Sequence, residues 1–93
     1  MKAKVILFSN KSNEITDFLN KFYSNKSEHG NSTSWKKEFP NPVEITEFIA
    51  AFADNSNLFD LTMWISLDTD IFIKISPSNS DNIIKYLFER YPY

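Results

Sequence analysis

Cysteine is absent from the 93 residues of the chain, and histidine and glycine each occur once, as the adjacent pair His29 and Gly30. Without cysteine the chain has no thiol redox chemistry and no thiolate nucleophile, and a zinc cluster lacks its usual ligands. A single glycine cannot build a glycine-rich phosphate loop. The sequence therefore excludes most familiar catalytic and cofactor motifs, and we expect no metal, no cofactor and no catalytic residues.

Long apolar runs are also missing. The longest covers only the six residues 48–53, and the one near the N-terminus covers only residues 5–8, whereas a membrane span needs roughly 18 apolar residues and a secretory signal a longer N-terminal apolar segment than this. Aromatic residues make up 16% of the chain, enough large rings to build a core without disulfides. We expect a single domain over residues 1–93 in a cytoplasmic protein that makes no contact with membrane.

Charge is unevenly distributed along the chain. Residues 1–37 contain seven lysines against three acidic residues, residues 38–93 contain nine acidic residues against two lysines and one arginine, and the net charge is −2. A negative total argues against a dedicated nucleic-acid binder, in which a basic surface supplies most of the affinity. The acidic second part forms either ordinary solvated faces or a docking surface for a basic partner.

Three segments have apolar residues at helical spacing. Asn41 followed by Pro42 and Glu44 predicts the start of the second helix, with Glu44 bonding back to the cap, and Ser78 with Asp81 predicts a capping box before the third. Residues 25–34 lack apolar side chains and predict a mobile loop. The apolar stripes of the three helices are Ile15, Phe18, Leu19, Phe22 and Tyr23; Ile45, Phe48, Ile49 and Phe52; and Ile83, Ile84, Leu87, Phe88 and Tyr91.

Four segments predict strands. Residues 4–9 have the continuous apolar character of a central strand covered on both faces, and residues 35–39 predict a short edge strand. Residues 59–67 and 71–75 alternate as two strands of a hairpin with one buried face. A loop of residues 68–70 pairs Met63 with Ile75 and keeps the isoleucines on that face. Asp70 then takes the left-handed conformation.

This pattern predicts an α+β fold of two or three layers, with three helices on a four-stranded mixed sheet in the order β-α-(β)-α-β-β-α. The order resembles a thioredoxin-like core, in which the first two strands are parallel and crossovers are right-handed. The cysteines and the cis-proline of that family are absent from the corresponding stretches, residues 9–13 and 55–58, so disulfide exchange is excluded. Residues 63–68 and 83–93 also resemble a group of small uncharacterised bacterial proteins, which implies no activity.

Carboxylates offer little support for an enzyme. Asp68 and Asp70 are close in sequence, but a solvated hairpin tip rarely supplies the six or so oxygens that Ca²⁺ requires. The acidic pairs at positions 14 and 17 and at 44 and 47 lie in the first turns of helices, where negative charge is favourable without any catalytic role.

The outward face of the predicted hairpin carries the candidate binding residues Trp64, Phe72, Lys74 and Thr62. Alternation marks this side as polar, so two aromatic residues on it need an explanation. Either the second helix covers Trp64 and Phe72, or they form an exposed patch for a protein partner or for self-association. Base stacking, as in single-stranded RNA binders, needs cations that this half of the chain lacks. We expect a non-catalytic protein-interaction module or homodimer; the alternative is a small enzyme or small-molecule-binding protein with a pocket of carboxylate, Tyr and Ser groups.

Overall fold

A computed structural model of the chain describes residues 2–11, 13–23 and 33–91. The predicted α+β class and element order are confirmed. No helix in these three ranges is both long and apolar enough to cross a membrane. The loop expected to contain His29 and Gly30 lies outside the described residues, apart from its last two positions. The elements are β1 (Ala3–Ser9), α1 (Glu14–Tyr23), β2 (Ser34–Phe39), α2 (Pro42–Asp54), β3 (Leu61–Leu67), β4 (Ile73–Ile75) and α3 (Ser80–Arg90).

The four strands form one sheet in the order β2-β1-β3-β4, and every neighbouring pair is antiparallel. The prediction of a mixed sheet with β1 and β2 parallel is therefore wrong, and the chain departs from the thioredoxin-like arrangement. Ser34 lies opposite Phe8, so β2 starts at the end where β1 finishes. The ten-residue α1 spans only about 15 Å along its axis, against about 24 Å for a seven-residue strand. It is too short to return the chain to the start of β1 by itself.

All three helices pack on one face of the sheet, so the fold has two layers. Odd-numbered side chains of β1 are buried, whereas Lys4 and Phe8 are exposed and Ile6 is half-buried. The prediction that β1 is covered on both faces is wrong, because an antiparallel sheet can leave one face in water. The core between the layers combines Val5, Leu7, Met63 and Ile65 of the sheet with the helical stripes.

Phe48 of α2 occupies the centre of this core. Its ring makes edge contacts with Phe18 and Phe22 at centroid distances of 5.5 and 5.0 Å. Trp35 stacks on it at 5.7 Å, and Phe39 lies 5.2 Å away. Because Trp35 and Phe39 come from β2, these rings attach the edge strand to the helix layer, and the predicted strand at residues 35–39 is confirmed.

The β3–β4 hairpin has the predicted register, with Met63 opposite Ile75, Trp64 opposite Lys74 and Ile65 opposite Ile73. The left-handed residue is Asp68, with φ 56°, not Asp70. The Asp68 N–H donates to the Lys2 carbonyl at 2.7 Å, and its carboxylate accepts from the Lys2 N–H. These bonds to the chain preceding β1 hold Asp68 in place, and the hairpin sequence alone could not indicate them.

The helix starts were predicted with unequal success. Asn41 caps α2 as expected, because its Oδ1 accepts from the N–H groups of Val43 and Glu44 at 2.8 and 3.4 Å. The Glu44 side chain turns toward Lys37 instead of back to the cap. At α3 the cap position is Asn79, not Ser78, and it makes no side-chain cap bond. Phe88 is exposed and does not belong to the buried stripe of α3.

Candidate ligand-binding face

The side of the sheet away from the helices is the candidate site, and we call it the open face. Pairing fixes its members, because directly paired residues point to the same side of a sheet. Phe72, just before β4, adds a further aromatic ring. The outward strand positions are Lys4, Ile6 and Phe8 of β1; Ser34, Lys36 and Glu38 of β2; Thr62, Trp64 and Ser66 of β3; and Lys74 of β4.

Aromatic rings on the open face are accessible to solvent. Phe8 is 46% exposed, and Trp64 and Phe72 are each 38% exposed. Phe8 pairs with Thr62, two residues before Trp64, so Phe8 and Trp64 are diagonal neighbours about 7–8 Å apart. Two apolar rings therefore lie side by side near the middle of the sheet, on β1 and β3, and each of these strands has a neighbouring strand on both sides.

Phe72 extends the aromatic surface across the sheet. It lines a shallow depression of about 380 Å³ together with Lys4, Ile6 and Lys36, which belong to β1 and β2. Ser66 is outward-facing but only 1% exposed, which fits a Phe72 ring lying across β3. The open face is thus a shallow concave surface and not a deep pocket.

Positive charge surrounds these rings. One transverse row of the sheet reads Lys36, Ile6, Trp64 and Lys74, so a lysine stands at each edge with apolar side chains between. Lys4 lies in the adjacent row, opposite Glu38. The ten outward strand positions, all of them described, hold three lysines and one carboxylate, a small excess of positive charge on a chain with a net charge of −2, while Asp68 and Asp70 border this face beside Lys4 and Ser66.

The four predicted binding residues all lie on or beside the open face. Thr62 and Trp64 are neighbours on β3, Lys74 is directly opposite Trp64, and Phe72 precedes β4. The helix α2 packs on the other side of the sheet and does not cover Trp64 or Phe72. The sequence interpretation missed Lys4, Ile6, Phe8 and Lys36. Alternation within β1 could have indicated three of them, had the strand not been interpreted as covered on both faces.

A second polar cluster lies beside α1 and α2. Lys37 Nζ donates to Tyr23 Oη at 3.1 Å and to Glu44 Oε1 at 3.0 Å. Its ammonium group also lies 5.1 and 4.9 Å from the ring centroids of Tyr23 and Phe39. Partial burial alone would lower the pKa of Lys37, but the hydrogen bonds and the attraction of Tyr23 and Glu44 outweigh it and raise the pKa above its usual value. A lysine held in its charged form is unsuited to act as a base or nucleophile.

The hairpin tip is poorly arranged to hold a metal ion. Asp68 directs a carboxylate oxygen to the Lys2 N–H, and the surrounding depression also contains Lys2 and Lys4. Positively charged neighbours and a carboxylate already in use both oppose cation binding. Across the described ranges, no group of three or more His, Cys, Asp or Glu side chains is arranged to hold a metal ion.

A separate apolar groove lies between the hairpin and α3, on the helix side of the sheet. Leu67, Ile71, Ile73, Ile83 and Tyr86 line it, together with the polar Thr69 and Asn82. Ile71 is 73% exposed, although its predicted position was on the buried face. The strand β4 has only three residues, and α3 does not extend over this end of the hairpin.

Comparisons with protein-family models, with curated proteins and with solved structures gave no match to the chain. The resemblance to small uncharacterised bacterial proteins therefore stays a prediction. The functional argument depends on the geometry of the open face.

Proposed function

We propose that the protein is a non-catalytic binding module whose open face recognises another macromolecule. The observation that carries this proposal is the exposure of Phe8, Trp64 and Phe72 on a sheet face that none of the helices α1, α2 and α3 covers. Contiguous apolar surface left in water is characteristic of interaction sites. The proposal includes the cytoplasmic location expected from the sequence, which fractionation of cells expressing the chain would test.

The charge of the open face favours a partner other than a second copy at this surface. A two-fold interface would place the same patch on both subunits, so the three lysines of one open face would be brought against the three of the other. Like charges brought together in an interface are costly. A ligand that combines negative charge with apolar or aromatic surface fits better.

The enzyme alternative has one candidate cluster, formed by Tyr23, Lys37 and Glu44. A Lys37 pKa above its usual value favours a persistent ion pair over proton transfer near neutral pH. Its contacts with the rings of Tyr23 and Phe39 are those of a packing residue. These features favour a structural role for the cluster.

Affinity capture from cell extract tests the proposed function with two matched substitutions. Trp64→Ala removes an open-face ring, and Phe88→Ala removes an exposed ring from α3. We expect the wild type and Phe88→Ala to retain the same macromolecules, and Trp64→Ala to lose them, because truncated aromatic anchors typically cost 2 kcal/mol or more in binding. An identical set retained by all three proteins would contradict the proposal.

Self-association is a second candidate function, and the groove between β4 and α3 favours it. Ile71 is the most exposed large apolar side chain of the described residues, and the lining contains no charged side chain. An uncharged patch can face its own copy without repulsion. We expect sedimentation to show a concentration-dependent dimer that Ile71→Lys abolishes and Trp64→Ala leaves intact; a monomer at all concentrations would exclude this candidate.

A further inference from the structure

We propose that the ligand of the open face is a single-stranded nucleic acid, with bases stacked on Phe8 and Trp64 and phosphates near Lys36 and Lys74. This inference rests on the proposed function, since it names the class of partner for the same surface. Three features carry it: the placement of the rings, the position of the lysines and the open shape of the face.

The rings suit unstacked bases. Phe8 and Trp64 are diagonal neighbours on β1 and β3, about 7–8 Å apart, which exceeds the rise of about 3.4 Å per nucleotide in a stacked strand. Two bases seated on these rings would be separated from each other, as are the bases that proteins recognise in single-stranded RNA. Aromatic stacking tolerates any base, because every base has a flat π-face.

The lysines lie where a strand crossing the rings would place its phosphates. Lys36 and Lys74 are at opposite ends of the row that contains Ile6 and Trp64, and Lys4 is on the central strand. The sequence disfavoured nucleic acid because the half containing the hairpin has few cations. Pairing of β3 with β1, and of β1 with β2, removes that objection, because it brings Lys4 and Lys36, both from the basic residues 1–37, onto the aromatic face.

The lysines of the open face also favour a nucleic acid over an acidic protein segment as the ligand. Protein interfaces are enriched in aromatic residues but depleted in lysine, whereas lysine is a regular binder of phosphate as a point charge. The hydroxyl group of Thr62, beside Phe8 in its row, can donate to base edges or accept from them. A duplex keeps its bases stacked inside and could not present them to Phe8 and Trp64.

Fluorescence anisotropy of four labelled probes tests the inference. The probes are dT10, rU10, a ten-base-pair duplex and a peptide of alternating Glu and Leu. We expect dT10 or rU10 to bind more tightly than the duplex and the peptide. Comparing the affinities of dT10 and rU10 distinguishes DNA from RNA as the ligand. Phe8→Thr and Trp64→Thr should each weaken binding about 5- to 100-fold, the range that base stacking on one ring contributes.

Salt dependence gives a readout that does not depend on the rings. The two proposed phosphate contacts, at Lys36 and Lys74, predict a slope of about −1.4 for log K against log salt, and each contact removed should reduce its magnitude by about 0.7. Lys36→Gln and Lys74→Gln, both at exposed positions, should each cause that reduction. Lys85→Gln and Phe88→Ala, on the exposed side of α3, are the matched controls and should change neither affinity nor slope.

Each remaining outcome overturns the inference. Equal affinity for duplex and single strands would show that base stacking plays no role. Unchanged oligonucleotide binding by the Thr and Gln variants, once circular dichroism has confirmed that they fold, would show that the ligand binds elsewhere. Peptide binding lost in the same variants, without oligonucleotide binding, would make the partner an acidic protein and leave the proposed function standing. Binding of none of the probes would also reject nucleic acid, while the capture experiment decides on the proposed function separately.

Discussion

Phe48 is the single side chain on which the core depends most. It is fully buried and joins rings from α1, β2 and α2 itself. Phe48→Ala should lower the free energy of unfolding by about 3–5 kcal/mol, because it deletes a ring and leaves a cavity. Urea denaturation measures the loss, with Phe88→Ala as an exposed control expected to cost less than about 1 kcal/mol. Equal losses for the two variants would mean that the core is centred elsewhere.

The raised pKa of Lys37 predicts how the stability of the fold depends on pH. Since its pKa is raised on folding, its charge stabilises the fold fully below the ordinary value of 10.5 and less as pH rises through the raised value. The ion pair with Glu44 is about one-third exposed on each side, so its contribution should stay below about 1 kcal/mol. The stability difference between wild type and Lys37→Met should therefore stay constant well below pH 10.5 and shrink as the pH rises above it, up to the alkaline limit of folding.

The phenol of Tyr23 also contributes to the environment of Lys37, because its oxygen accepts from Lys37 Nζ. The comparison is therefore repeated in a Tyr23→Phe background, which removes the phenol that accepts from Lys37. A difference between wild type and Lys37→Met that grows above pH 10.5 in both backgrounds would contradict the assignment of a stabilising charged lysine.

The backbone conformation of Asp68 could not be predicted from the sequence, although the register of its hairpin could. The hairpin register was predictable because a slip of one residue would move every isoleucine to the other face. Which residue adopts the left-handed conformation was not predictable, because Asp68 and Asp70 tolerate that conformation equally. The choice depends on the backbone of Lys2, which is 66 residues away in sequence and next to the hairpin only after the sheet has formed.

At the scale of elements, α2 has the strongest start signal, and Asn41 should account for a measurable share of its stability. Asn41→Ala should cost about 1 kcal/mol, because the N–H groups of Val43 and Glu44 lose their side-chain acceptor. Asn41→Asp retains an acceptor and should cost little. Thermal unfolding of both variants checks the contrast; an Ala variant as stable as the Asp variant would mean that water replaces the cap without loss.

Helices were easier to predict than the sheet, for a physical reason. The stripe of α2 was predictable in full because a spacing of three and four residues specifies one buried side of a helix. A strand alternates with a period of two in either direction, so the pattern at Trp35 and Phe39 indicated which side chains are buried and not which way β2 runs. The direction depends on contacts outside β2, and it sets which residues of β1 lie opposite the outward residues of β2, as Ile6 does opposite Lys36.

At the scale of the whole molecule, the fold separates its two kinds of apolar surface. The core holds most of the large side chains between two layers, while Ile6, Phe8 and Trp64 remain on the opposite side of the same strands. Apart from the buried Ser66, the even positions of β1 and β3 are therefore less constrained by packing than the odd positions. Antiparallel pairing also converts a charge difference along the chain into a small excess of positive charge on the open face of an acidic protein.

This separation predicts that the open face can be altered without loss of the fold. Replacing Phe8 and Trp64 together by threonine, which favours strands, should change the free energy of unfolding by less than Phe48→Ala alone, since both rings retain substantial exposure. Urea denaturation of the double variant beside Phe48→Ala makes the comparison directly. A loss as large as that of Phe48→Ala would show that the two rings stabilise the sheet, and their exposure could then no longer be attributed to recognition.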